Sequence, residues 1–163
     1  MKTGKITVLA LMIAVAMILS YVESLLPSVG IPGVKLGFAN IVVIFVLYRF
    51  GWREALAVSV IRVGMVSVLF GSLGALLYSA SGAVLSLAVM MVLKRVGVFS
   101  ETGVSVAGGV GHNAGQILAA VVLLGTARVS YYFPVLIVSG VAGGVFTGLT
   151  AALLLRRIPE RKQ

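Results

Sequence analysis

The sequence predicts an all-α integral membrane protein built as a six-helix transmembrane bundle in one domain spanning residues 1–163. Three observations lead there. Hydrophobic residues make up 60% of the chain and charged ones 10%, and the mean hydropathy is +1.17; soluble domains carry about 25% charged residues and less than half apolar ones. The apolar residues lie in long unbroken runs without period-two alternation, which selects helices over a barrel. The basic residues cluster at the ends of those runs. No polar linker or low-complexity tract divides the chain.

The first span is expected over Ile6–Leu26. "MKTGKITVLALMIAVAMILS" opens like a signal peptide, but the apolar run continues to Leu26 without a small-x-small cleavage site, so an uncleaved span is expected. The second runs from Phe38 to Phe50, the third from Trp52 to Phe70 and the fourth from Ala75 to Leu93. The fifth covers Gly103–Leu124 and the sixth Tyr132–Leu155. All but the second reach about 19 residues or more, enough for a hydrocarbon core of ~30 Å. The second falls roughly 10 Å short. Either it starts below the outer surface and "PGVKLG" dips in to meet it, or the helix extends back to Val34 with Lys35 snorkelling outward.

Orientation follows from lysine and arginine. With the N-terminus inside, Lys2, Lys5, Arg49, Arg53, Lys94, Arg95, Arg156, Arg157, Arg161 and Lys162 face the cytoplasm. The outer loops keep Lys35 and Arg128. That bias places both termini inside a cytoplasmic membrane. It also accounts for the formal charge of +9 without a nucleic-acid partner.

Two polar features interrupt the apolar spans. Arg62, in "SVIRVGMVSV", lies mid-span, where a charge costs from about 3 to more than 10 kcal/mol and must face a partner or a cavity. Either it pairs with Glu23 near the outer end of the first span, or it clamps an anionic or carbonyl-bearing ligand. In "GVGHNAGQ", His112 and Gln116 are four apart on one helical face with Asn113 beside them. Gly109, Gly111 and Gly115 clear space around them for a ligand or another helix. In the last span Gly140, Gly144, Gly148 and Ala152 recur every four residues, a stripe for close helix contact. Ala10 and Ala14 form a shorter smooth patch: ordinary packing if it faces the bundle, a docking surface for another membrane subunit if it faces out.

What is missing narrows the function. There is no cysteine and no aspartate, and one histidine. No phosphate-binding loop and no G-x-S-x-G serine occur, so no ATPase and no serine hydrolase is expected. The four glutamates are scattered, which argues against a metal site and against independent catalysis on metal-diphosphate substrates. A non-enzyme without cofactors is expected.

"PGVKLGFAN" and "GHNAGQ" resemble the Gx transporter family, labelled heptaprenyl diphosphate synthase component I. That family is similar in fold to the substrate-binding S-components of energy-coupling factor (ECF) transporters, and the resemblance spans nearly the whole chain. It implies a pocket in the outer half of the bundle closed by the first loop. Lys35 and Asn40 would then sit at the lid, with Arg62, His112, Asn113 and Gln116 below it. It also implies docking of the first helix, through Ala10 and Ala14, on a transmembrane coupling subunit served by cytoplasmic ATPases. The ligand expected is small and anionic or carbonyl-bearing, of quinone or isoprenoid type. The alternative is a membrane scaffold for a soluble polyprenyl diphosphate synthase. A gradient-driven transporter would want internal repeats and coupling carboxylates, and neither is evident.

Overall fold

The computed structural model describes residues 2–25 and 37–158, which form six α-helices and one 3-10 turn. The helices are α1 (Lys2–Leu25), α2 (Phe38–Arg49), α3 (Trp52–Phe70), α4 (Leu73–Val96), α5 (Glu101–Leu124) and α6 (Phe133–Arg157). A 3-10 turn, Ala127–Tyr132, leads into α6. Among the described residues there is no strand. Four stretches are long and apolar enough to cross a membrane: Thr3–Leu25, Leu73–Val96, Glu101–Leu124 and Ala127–Arg157. The chain is therefore a helical membrane protein. The two remaining helices differ from these four for separate reasons. The second, α2, has 12 residues, about 18 Å of helix, and α3 carries Arg53, Glu54 and Arg62 within 19 residues.

Local chemistry sets the ends. Ser72 and Ser100 cap α4 and α5, their hydroxyls accepting from the Ala75 and Gly103 amides at 3.2 Å each. Gly97 and Gly125 close the same helices in the left-handed conformation. Between α2 and α3 the chain reverses through Phe50 and Gly51, and Gly51 has φ 114° and ψ −179°, a region open essentially only to glycine.

The shortest helix is the most enclosed. Ala39 and the whole run Ile41–Leu47 are buried, so α2 is apolar all round and serves as the bundle's axis. It touches α1, α3 and α6, while α3 bridges to α4 and α5 lies between α4 and α6. Ile44, Val46 and Leu47 form the core with Ala16, Ala55, Val58, Leu87, Met90 and Val104.

Glycine lets α5 approach both neighbours. A Cβ on Gly109 would stand 2.4 Å from the Gly140 carbonyl oxygen of α6, and one on Gly144 2.5 Å from the Val106 Cα. On the other face, a Cβ on Gly115 would stand 2.5 Å from the Ser81 carbonyl oxygen of α4. The glycines of "GVGHNAGQ" thus admit helices on both sides, and the last-span stripe is a packing surface. Because lipid is as apolar as leucine, close van der Waals contact of this kind is what holds helices together in a bilayer.

Cross-helix ties gather at one end. Lys5 Nζ bridges the Glu54 carboxylate at 2.5 Å, joining α1 to α3. Lys94 Nζ donates to the Leu47 carbonyl at 2.6 Å, capping α2 from α4. Arg49 donates to the Ile158 carbonyl at the end of α6. Each tie satisfies a charge or an end carbonyl that the helix itself leaves open. This basic end is a braced floor.

Candidate functional site

The opposite half of the bundle holds the polar groups that the floor does not use. There α2 starts deep. Its first residue, Phe38, stacks obliquely on Phe146 with ring centroids 5.7 Å apart, and Phe146 lies roughly 20 Å along α6 from Phe133. Gly37 precedes the helix in the left-handed conformation, φ 75°, and its carbonyl accepts from the Asn40 amide at 2.8 Å. The half-buried Asn40 side chain folds back over Gly37, where a Cβ would meet its Nδ2 at 3.4 Å. The amide of Gly37 donates to the Glu23 carboxylate of α1. An acid therefore already sits at the positive end of the α2 dipole.

Arg62 on α3 faces this acid without touching it. Its Nη1 donates to Ser20 Oγ at 3.3 Å, and the Ser20 hydroxyl donates in turn to the Ala16 carbonyl at 2.9 Å. Glu23 acts on the guanidinium electrostatically, yet the ion pair found among the described residues is Lys5–Glu54. The direct Glu23–Arg62 bridge expected as one alternative is not among the ion pairs of the described residues; the carboxylate instead accepts from the Gly37 amide. Arg62 Nε is buried with no hydrogen-bond partner among the described residues. A guanidinium in that position holds unspent donor capacity.

The "GHNAGQ" residues part company. Asn113 is buried against α6, where its Nδ2 donates to the Leu136 carbonyl at 2.6 Å and to Ser139 Oγ at 3.2 Å. That is an interhelical tie. His112 and Gln116 instead turn to α4 and close on Gly82, where a Cβ would lie 2.9 Å from the imidazole and 3.0 Å from Gln116 Cγ. Gln116 is buried and His112 half-buried. The expected cluster of three is thus a pair and a separate packing amide.

Lys35 and the segment "PGVKLG" up to Leu36, expected as a lid, lie outside the described residues, as do Leu26 at the expected end of the first span and Arg161 and Lys162 near the C-terminus. Ala10 and Ala14 are both exposed, on the outward face of α1. Gly4, also exposed, has open space where its Cβ would be. Among the described residues no three His, Asp or Glu side chains gather at one point.

Sequence reasoning missed Ser20 as the partner of Arg62, and it missed the inter-helix roles of Lys5 and Lys94. The signal for Lys5 and Glu54 was present: both lie near the basic ends of their apolar runs. Neither Ser20 nor Lys94 had one, since a lone serine in a helix usually bonds its own backbone and a terminal lysine usually meets water.

A family model described as heptaprenyl diphosphate synthase component I matches residues 12–154. No curated protein and no solved structure matches the chain.

Proposed function

The chain belongs to the heptaprenyl diphosphate synthase component I family, and from that membership we propose a membrane subunit that captures a small ligand, working as the substrate-binding part of an ECF-like importer. One observation carries this reading: among the described residues Arg62, within the apolar length of α3, has one neutral hydrogen-bond partner and a buried Nε without one. Glu23 acts on the guanidinium only at a distance, and in membranes charged groups without a direct ion pair mark ligand and ion pathways. On this reading the deep start of α2 opens the outer half of the bundle, where Arg62, Asn40, His112 and Gln116 would face the ligand, with Glu23 held at the helix end.

Glu23 refines the ligand class. Its negative charge offsets the α2 dipole, so the site is not a bare anion hole. It suits a molecule with one carboxylate, phosphate or carbonyl for the guanidinium and an apolar body for the surrounding walls. Quinone-like and isoprenoid-like compounds have that form. Exposed Ala10 and Ala14 on α1 provide a smooth face for a transmembrane coupling subunit, with cytoplasmic ATPases supplying the energy.

Gently purified protein tests the ligand half. Extraction and mass spectrometry should find one organic acid or carbonyl compound on the wild type, and Arg62→Ala should lose it. Equal retention by both proteins would remove Arg62 from the site.

A second reading has one feature in its favour: the family description names a component of a synthase. On it the chain would be a non-catalytic membrane member of a polyprenyl diphosphate synthase, recruiting a soluble catalytic partner through its basic end.

A further inference from the structure

The braced basic end contains a groove that the ligand-capture reading does not use. It is a cleft of about 650 Å³ where the end of α2, the start of α3 and the last turns of α4 meet, lined by Leu47, Trp52, Met91, Val92, Lys94 and Arg95. Its wall is open to the bundle's outer side, since Trp52 is 50% and Val92 62% exposed. Apolar surface fills its length and two cations stand at one end.

The cations retain capacity. An ammonium has three donors; Lys94 uses one on the Leu47 carbonyl and rests over the Tyr48 ring at 4.8 Å. Arg95 is exposed and makes no hydrogen bond or ion pair among the described residues. Arg53 adds a third positive charge at the rim, stacked over the Trp52 ring at 5.4 Å. Two acids lie nearby: Glu54, whose carboxylate stands against Gly51 and is paired with Lys5, and Glu101, which acts on Tyr48; with Lys94, Arg95 and Arg53 the rim remains net positive. A tryptophan beside arginine and lysine at the end of membrane helices is the composition of a headgroup-level anchor.

We infer that this groove holds one anionic phospholipid of the cytoplasmic leaflet, its phosphate on Lys94 and Arg95 beside Trp52 and its chain along Leu47, Met91 and Val92. Charge complementarity selects the headgroup, and the continuous apolar wall selects an amphiphile over a free phosphate ion. The lipid would complete the floor by bridging α4 to the α2–α3 turn, at the end of the bundle away from Arg62.

The test uses the full chain in nanodiscs made of phosphatidylcholine with a minor fraction of phosphatidylglycerol, followed by delipidation in mild detergent and native mass spectrometry. The wild type should retain one phosphatidylglycerol in preference to phosphatidylcholine. Arg95→Gln, which removes no contact within the protein, should lower that retention by about fivefold, as expected for one interfacial cation. Its melting temperature measured without anionic lipid should not change. Millimolar inorganic phosphate or diphosphate should not displace the lipid. Equal retention by Arg95→Gln, equal retention of phosphatidylcholine, displacement by free diphosphate, or preferential uptake of added farnesyl diphosphate would each overturn the assignment. Ligand loss in Arg62→Ala is read separately, so either result stands without the other.

Discussion

Arg62 and Asn113 are both polar groups within apolar helices, but the bundle treats them oppositely. Asn113 spends its amide hydrogens on the Leu136 carbonyl and Ser139, whereas Arg62 keeps a buried donor without a partner among the described residues. One is fastened and the other is available. Asn113→Ala should lower stability by about 0.6–2 kcal/mol, the range of interhelical hydrogen bonds in membranes. Thermal unfolding in detergent checks this, and ligand retention should stay at the wild-type level. The sequence displayed both residues as anomalies but could not separate them. Positions 112 and 113 are about 100° apart on a helix, so they face different ways; which neighbour lies on each side depends on packing between helices far apart in the chain. Glu23 was legible as a possible partner for Arg62. That it would accept from the backbone amide of Gly37 was not, because that contact requires the fold.

Most helices were legible as elements, since continuous apolar length and flanking glycine, serine and basic residues announce them. The expected span Trp52–Phe70 coincides with α3, and the others differ by a few residues at their ends. Those differences have local causes: Ser72 and Ser100 cap α4 and α5 earlier than apolar content suggests, and lysine or arginine extends the last turns of α4 and α6. The short α2 was visible from its length, and its position follows from the Phe38–Phe146 contact well down α6. Its depth has a consequence that chemistry can measure. The native chain has no cysteine, so Phe38→Cys and Arg128→Cys each provide a single thiol. A membrane-impermeant maleimide applied from the outer side should label Arg128→Cys rapidly and Phe38→Cys much more slowly. Equal rates would place the start of α2 at the outer surface and contradict its deep start.

For the whole molecule, a floor of cross-helix ties at one end carries an opposite half in which the Arg62 guanidinium keeps a buried donor, and α1 lies at the edge with Ala10 and Ala14 exposed. Composition alone established the membrane setting. Neither a partner nor a ligand was legible, because each would reside in surfaces and cavities that a single chain only half defines. The two readings of function diverge over what binds this chain in its own membrane. Tagged protein recovered under mild detergent from its native membranes, with identification of the associated chains, addresses that most directly. The ligand-capture account predicts a transmembrane coupling protein together with ATPase subunits, lost from an Ala10→Leu, Ala14→Leu variant that still folds. Recovery of a soluble prenyl synthase in their place, unaffected by those two substitutions, would contradict it.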